Sequence, residues 1–194
     1  MTHLGTVRLE TERLILRRFV ETDIEDVFNN WSNDPEVTKF LRWQPHGDIS
    51  VTRGFMEEKL LAYERPDYYL WAMELKATGQ VIGTIGVGRH NDGPRSVTMG
   101  YCLGRAWWNR GYMTEALRRI IQFFFEEVGM NRVEALHDPR NPGSGRVMQK
   151  AGMTYEGTLR QADTNNQGIC DEACYAILAS EYRGATSKDV RSTK

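Results

Sequence analysis

Ten residues in the middle of the chain could hold an anion: Trp107-Trp108-Asn109-Arg110-Gly111-Tyr112-Met113-Thr114-Glu115-Ala116. They follow a strand-like stretch that ends at Leu103. They open a run in which Ala116, Leu117, Ile120, Ile121, Phe124 and Val128 recur at helical spacing. The first amides of a helix have no carbonyl partner within it. They also sit at the positive end of the helix dipole, so a diphosphate fits there. Gly111 lets backbone approach such a ligand closely, and Arg110 can add charge or simply face solvent. An ordinary helix start with a glycine in its turn accounts for the same residues. The Lys-Ser/Thr ending of a triphosphate loop is absent, as is the three-glycine dinucleotide pattern. Trp107 and Trp108 read as packing anchors, because no basic stripe accompanies them.

The other chemically capable residues are scattered. His3, His46, His90 and His137 stand apart, and none pairs with Asp, Glu or Cys at ligand spacing. Each reads as a surface or local structural group, and no metal is expected. Cys102, Cys170 and Cys174 lack metal-binding spacing. Cys102 lies in a strand without an evident histidine partner, where a small apolar role is ordinary. Glu74 and Glu115 are further carboxylates. The place of Glu115 in the first turn of a helix explains its charge without a catalytic role.

The elements that must position these residues follow from periodicity. Leu14-Ile15-Leu16 suggests an opening strand. Ile24, Val27, Phe28 and Trp31 predict a helix over about 23–31, with Thr22 or Asp23 as its cap. Pro35 opens a short helix, and Asp48 or Ser50 starts another that ends near Ala62. Strands at 68–75, 81–87 and 97–103 form a run of hairpins, with a turn at 76–80. The long helix from Met113 stops at Gly129. A strand at 132–136, a helix at 144–151 and strands at 153–159 and 173–178 complete the chain. This order implies an α/β fold of the α+β kind: a strongly twisted mixed sheet of about 6–7 strands with helices on both faces.

Thr11-Glu12-Arg13-Leu14-Ile15-Leu16-Arg17, Asn33-Asp34-Pro35-Glu36-Val37, the segment 108–116, Asn141-Pro142-Gly143-Ser144-Gly145-Arg146-Val147 and Lys150-Ala151-Gly152-Met153 together resemble the GCN5-related N-acetyltransferase (GNAT) superfamily. The likeness covers about residues 11–182 and is strongest to the branch that acetylates the N-termini of ribosomal proteins. It implies acetyl-coenzyme A (acetyl-CoA) as acyl donor. The donor's pantetheine arm would pair with backbone near Tyr101 and Leu103, where the strand 97–103 splays from 132–136. Its phosphates would meet Asn109, Arg110, Gly111, Tyr112, Met113 and Thr114, with Asn141 and Ser144 also in contact. Ser144 is implied as the group that protonates the leaving thiolate; a helix-cap role competes. Asp163 is implied as the base, directly or through water, with a solvated loop residue as its alternative. Trp108 and Met113 depart from the superfamily's loop pattern, which touches side-chain contacts and leaves backbone amide binding intact. Met148 stands where many members carry a tyrosine acid.

The resemblance implies direct transfer of acetyl to an amine, first of all the N-terminal α-amine of a protein or peptide. A small amine (polyamine, amino acid or aminoglycoside) is the alternative acceptor, and a noncatalytic acyl-CoA sensor is the alternative class. The acceptor would enter opposite the coenzyme, in a pocket shaped by the N-terminal helices and the loop 163–168. Trp31, Trp43, Tyr68 and Tyr69 would line it or belong to the core. The length of 194 residues suits one domain over 1–184 with a polar tail at 185–194. Apolar residues at 40% exclude a disordered chain. A net charge of -1 speaks against nucleic acid as partner. No run suggests a membrane span or leader, so cytoplasm is expected. Self-association into a homodimer stays open.

Overall fold

The structure is a computed structural model that describes residues 1–182. The tail expected at 185–194 and the domain boundary at 184 lie outside the described residues. The chain runs β1 (Leu9–Glu10), β2 (Leu14–Arg17), α1 (Ile24–Val27), α2 (Pro35–Thr38), α3 (Ile49–Ala62), β3 (Leu70–Leu75), β4 (Val81–Asn91), β5 (Ser96–Leu103), α4 (Tyr112–Phe123), β6 (Arg132–His137), α5 (Pro142–Lys150), β7 (Thr154–Asn165) and β8 (Gly168–Leu178). A tight 3-10 turn at Glu21–Asp23 leads into α1, and wide π-helical turns extend α1 to Ser32 and α4 to Val128.

One sheet collects all eight strands in the order β1-β2-β3-β4-β5-β6-β8-β7. Every neighbouring pair is antiparallel except β5 and β6. A parallel pair needs a long crossover, and α4 supplies it. The apolar stripe of α4 explains where it lies. Leu117, Ile120, Phe123 and Phe124 are buried against Trp71, Met73, Val97, Met99, Val133 and Ala135. On the other sheet face, α1 and α3 cover Ala72, Val81 and Cys102 through Ile24, Val27, Trp31 and Met56. Trp31 and Tyr69 are therefore core residues, which excludes the pocket-lining role open to them in the sequence. Tyr68 packs half-buried at the edge of the second core, and Trp43 packs against His46 and Phe55.

The sheet is larger than the 6–7 strands expected from sequence. Two residues of β1 are too short to show a period. The segment 163–168, expected to be a loop, is mostly the outer end of the β7–β8 hairpin. β7 was expected over 153–159 but runs on to Asn165; that outer half is mostly exposed and carries no apolar alternation to mark it. Asp23 is the third residue of its turn. Its carboxylate accepts the Val20 N–H and so caps from within. The later helix begins at Pro142, with Asn141 as its cap: the Asn141 side chain accepts the Ser144 N–H. The helix-cap role considered for Ser144 thus belongs to Asn141.

Candidate active site

The β5–β6 ladder pairs Ser96–Met99 with Arg132–Ala135 and then stops. β4 follows β5 as far as Leu103. One edge of Gly100–Leu103 is thus paired, and the other faces an opening. Backbone direction there follows from one bond: Gly104 N–H donates to Ile82 O. Strand alternation then turns the N–H and C=O of Tyr101 and Leu103 away from β4. The Leu103 carbonyl accepts the Trp108 indole N–H at 2.7 Å. The groups left for a ligand are the Leu103 amide and the amide and carbonyl of Tyr101. The opening is a cleft of about 390 Å³, walled by Phe40 and Leu41 on one side and by Ser144, Val147 and Lys150 of α5 on another.

The amide end of α4 closes this cleft. Asn109 and Gly111 both have positive φ, 60° and 82°, so the chain turns sharply twice before the helix. Gly111 occupies the cap position, and no side chain caps the first turn. Asn109, Gly111, Tyr112, Met113 and Thr114 line the cleft. Met113 is itself buried in the core and meets the cleft only at its edge. Arg110 does not line the cleft: its side chain is exposed, and its carbonyl accepts from Arg13. Arg13 also clamps Glu115 at 2.6 Å, which gives Glu115 a structural partner. Arg17 likewise holds Glu74 at 2.5 Å and Asp23 at 2.7 Å. Two cations that sequence reasoning missed, Arg146 and Lys150, line the cleft as well. Their signal was helical spacing with Gly143 and Val147 on α5.

Ser144 and Tyr101 form a closed pair. The Tyr101 hydroxyl donates to the Ser144 carbonyl, and the Ser144 hydroxyl donates back to Tyr101, each at 3.0 Å. Burial pushes the Tyr101 phenol well above its usual range, with Ser144 pulling the other way. It stays protonated at any working pH. Asn141, which also lines the cleft, holds the start of α5. Beneath it, Gly145 leaves room for the His137 ring: a Cβ there would stand 2.8 Å from Nε2. Met148 is buried and cannot reach the cleft. Burial raises the Cys102 thiol to about 12, so it does not supply a thiolate.

Asp163 lies in β7, half-buried and paired with Cys170, and is not a solvated loop residue. Arg42 grips its carboxylate at 2.8 Å. Arg42 follows Leu41 of the cleft wall, and the hairpin tip is tied to the same segment: Asn166 donates to Thr38 O and Trp43 O. Beside Asp163 stands Glu172, which the sequence did not single out. Its carboxyl is held above its ordinary range by burial first and by the Asp163 charge next, while Arg42 opposes both. Glu172 directly precedes Ala173, which forms the last β6–β8 pair with His137. It lies three residues from Tyr175, which pairs with Ala135 where β5 and β6 part.

Comparison with known proteins fits this geometry. Residues 13–154 match the family model described as an acetyltransferase (GNAT) domain. The chain is 31% identical over 176 residues to an uncharacterized N-acetyltransferase p20 of Bacillus licheniformis, covering 91% of this chain and 98% of the relative. A [ribosomal protein uS5]-alanine N-acetyltransferase of Escherichia coli (strain K12) is 24% identical over 166 residues, 80% of this chain and 82% of that one. The crystal structure of a GNAT-family acetyltransferase from Bacillus anthracis superposes with a TM-score of 0.80 at 27% identity, over 90% of this chain and all of the other. This chain belongs to the GNAT acetyltransferase family. It is an acetyl-CoA-dependent N-acetyltransferase, which sets the noncatalytic sensor reading aside.

Proposed function

We propose that this enzyme acetylates the N-terminal α-amine of a protein or peptide, by direct transfer and without an acyl-enzyme. The observation that carries this reading is the titratable set on the acceptor face: Glu172 and Asp163, with Arg42 as counter-charge. A carboxylate is a weak base, even when its pKa is raised. An α-amine has a pKa near 8, so about a tenth is already neutral at pH 7, against roughly 0.04% of a lysine-like amine. A weak base suits the first acceptor and serves the second poorly. Polyamine binding would favour uncompensated acid. Here Arg42 answers Asp163, and Arg89 and Arg132 answer Glu134. The likeness to the uS5-alanine enzyme adds to this reading.

The residues divide the work. The amides of Gly111 to Thr114, with Lys150 and Arg146 nearby, suit the donor's phosphates. The Leu103 amide points into the opening, where it can donate to the thioester carbonyl as charge develops. Glu172 takes the proton of the attacking amine, through water if the amine stands too far for contact, and Asp163 keeps the Glu172 carboxyl basic. The role implied for Asp163 thereby becomes support for its neighbour. Ser144 would turn its hydroxyl from Tyr101 to the departing sulfur, while Tyr101 keeps its own bond to the Ser144 carbonyl. The test uses tag-free enzyme with acetyl-CoA and a panel of peptides, polyamines, amino acids and aminoglycosides, read by thiol release and mass. Acetyl on peptide α-amines is expected. Turnover confined to polyamines or aminoglycosides would refute the proposal.

A further inference from the structure

At the far end of the β4–β5 hairpin, three side chains that are remote in sequence converge. His3 Nε2 and His90 Nδ1 each lie 3.1 Å from the same oxygen, Oδ1 of Asp92. The three atoms lie within 4.8 Å of one another. The two rings meet edge to face, with centroids 4.9 Å apart. This gathering overturns the reading of His3 and His90 as isolated groups. It stands away from the cleft, because His90 pairs with Val97 whereas Gly83 pairs with Leu103.

We propose that His3, His90 and Asp92 form a transition-metal site that staples the N-terminal segment to the β4–β5 turn. The outer contacts support this reading. Metal-bound imidazoles use their second nitrogen to hold an oxygen partner. His3 has the Tyr69 hydroxyl on Nδ1 at 2.9 Å, and His90 has the Asp67 carboxylate on Nε2 at 3.2 Å. Asp67 is itself fixed by Arg65 through two bonds of 3.1 Å.

Proton counting makes the arrangement informative. His90 lies between two carboxylates, and a neutral imidazole has only one N–H to offer them. One of the two contacts then places a bare nitrogen lone pair against a carboxylate oxygen. A metal ion at Nδ1 removes the conflict. Nε2–H donating to Asp67 while Nδ1 binds metal is the carboxylate–histidine–metal arrangement. Asp92 brings the negative charge. Two imidazole nitrogens and one carboxylate oxygen favour zinc, nickel or cobalt over the hard cations that prefer oxygen alone. A fourth position is left for water.

Metal-free, tag-free enzyme titrated with zinc chloride by calorimetry tests the site, with cobalt(II) absorption as a second probe. One equivalent is expected, with the visible bands of four-coordinate cobalt and a higher melting temperature. His90→Gln and His3→Gln should each weaken zinc by tenfold or more. Asp67→Asn, which touches only the outer contact, should weaken it about tenfold. Acetyl transfer should stay unchanged in all three. Two results would overturn the site: no binding by the unmodified protein, or binding of equal strength and stoichiometry in His90→Gln and His3→Gln. Either would leave the cluster as a set of hydrogen bonds among His3, His90, Asp67 and Asp92.

Discussion

The cleft proposed for the donor and the face proposed for the acceptor are built in different ways. The cleft relies on backbone: a strand edge that its neighbour abandons after Met99, and helix amides made accessible by a left-handed Gly111. Most of its parts lie in two short, continuous segments, 101–114 and 141–150, with 37–41 adding a wall. The acceptor face relies on side chains. Arg42 reaches Asp163 across 121 residues of sequence, and Glu172 joins them from a third segment. Binding an invariant cosubstrate can be entrusted to backbone, which substitution barely alters. Choosing an acceptor and tuning a base need charges that desolvate and repel one another, and those come from contacts distant in sequence.

Substitutions can break this contrast or sharpen it. The largest effect is expected at Glu172. Glu172→Gln should lower kcat by about 10²–10⁴-fold without lowering the melting temperature. A carboxyl whose folded pKa is raised gives stability below its unfolded pKa and loses it as pH rises through the folded one. A neutral amide removes that penalty at neutral pH. The parent enzyme's kcat/KM should rise with pH through the pKa of the same group. A full rate in Glu172→Gln beside a dead Asp163→Asn would return the base to Asp163.

On the donor side, Gly111→Val should weaken acetyl-CoA binding about tenfold. A side chain at positive φ costs roughly 1–2 kcal/mol, and a Cβ would stand 3.4 Å from the Arg13 guanidinium. The acceptor KM should not move. Parallel loss of both affinities would show the two sides to be one mechanical unit. The smallest effect lies between the sites, at Asp138, which Arg140 and Asn165 hold at a pKa of about 2. Asp138→Asn should cost about 1–2 kcal/mol at pH 7. A depressed carboxyl stabilises above its unfolded value and loses this as pH falls, so the difference between variant and parent in urea unfolding should shrink from about pH 4 toward pH 2.

Much of the donor side was legible from the sequence because its signals are local. The period of α4, the turn at Gly111, the Asp48 cap and the hairpin run all arise from residues a few places apart. The parting of β5 from β6 followed from the family resemblance, and the register bears it out. Three features did not show. The outer half of β7, beyond the strand expected at 153–159, is mostly exposed and carries no apolar alternation. Arg110 looked like an anion contact, yet only the turn's own geometry decides where its side chain points. Ser144 looked like a cap because its hydroxyl type suits one, but Asn141 sits three places earlier and takes the amide.

Spacing along the chain determined the helices, most strands and the amide site, since helix period, capping and glycine geometry act over fewer than ten residues. Tertiary structure alone decided which carboxylate is desolvated, which arginine answers it, and that His3 meets His90 and Asp92. Burial and charge depend on neighbours in space, and those neighbours come from parts of the chain tens of residues apart.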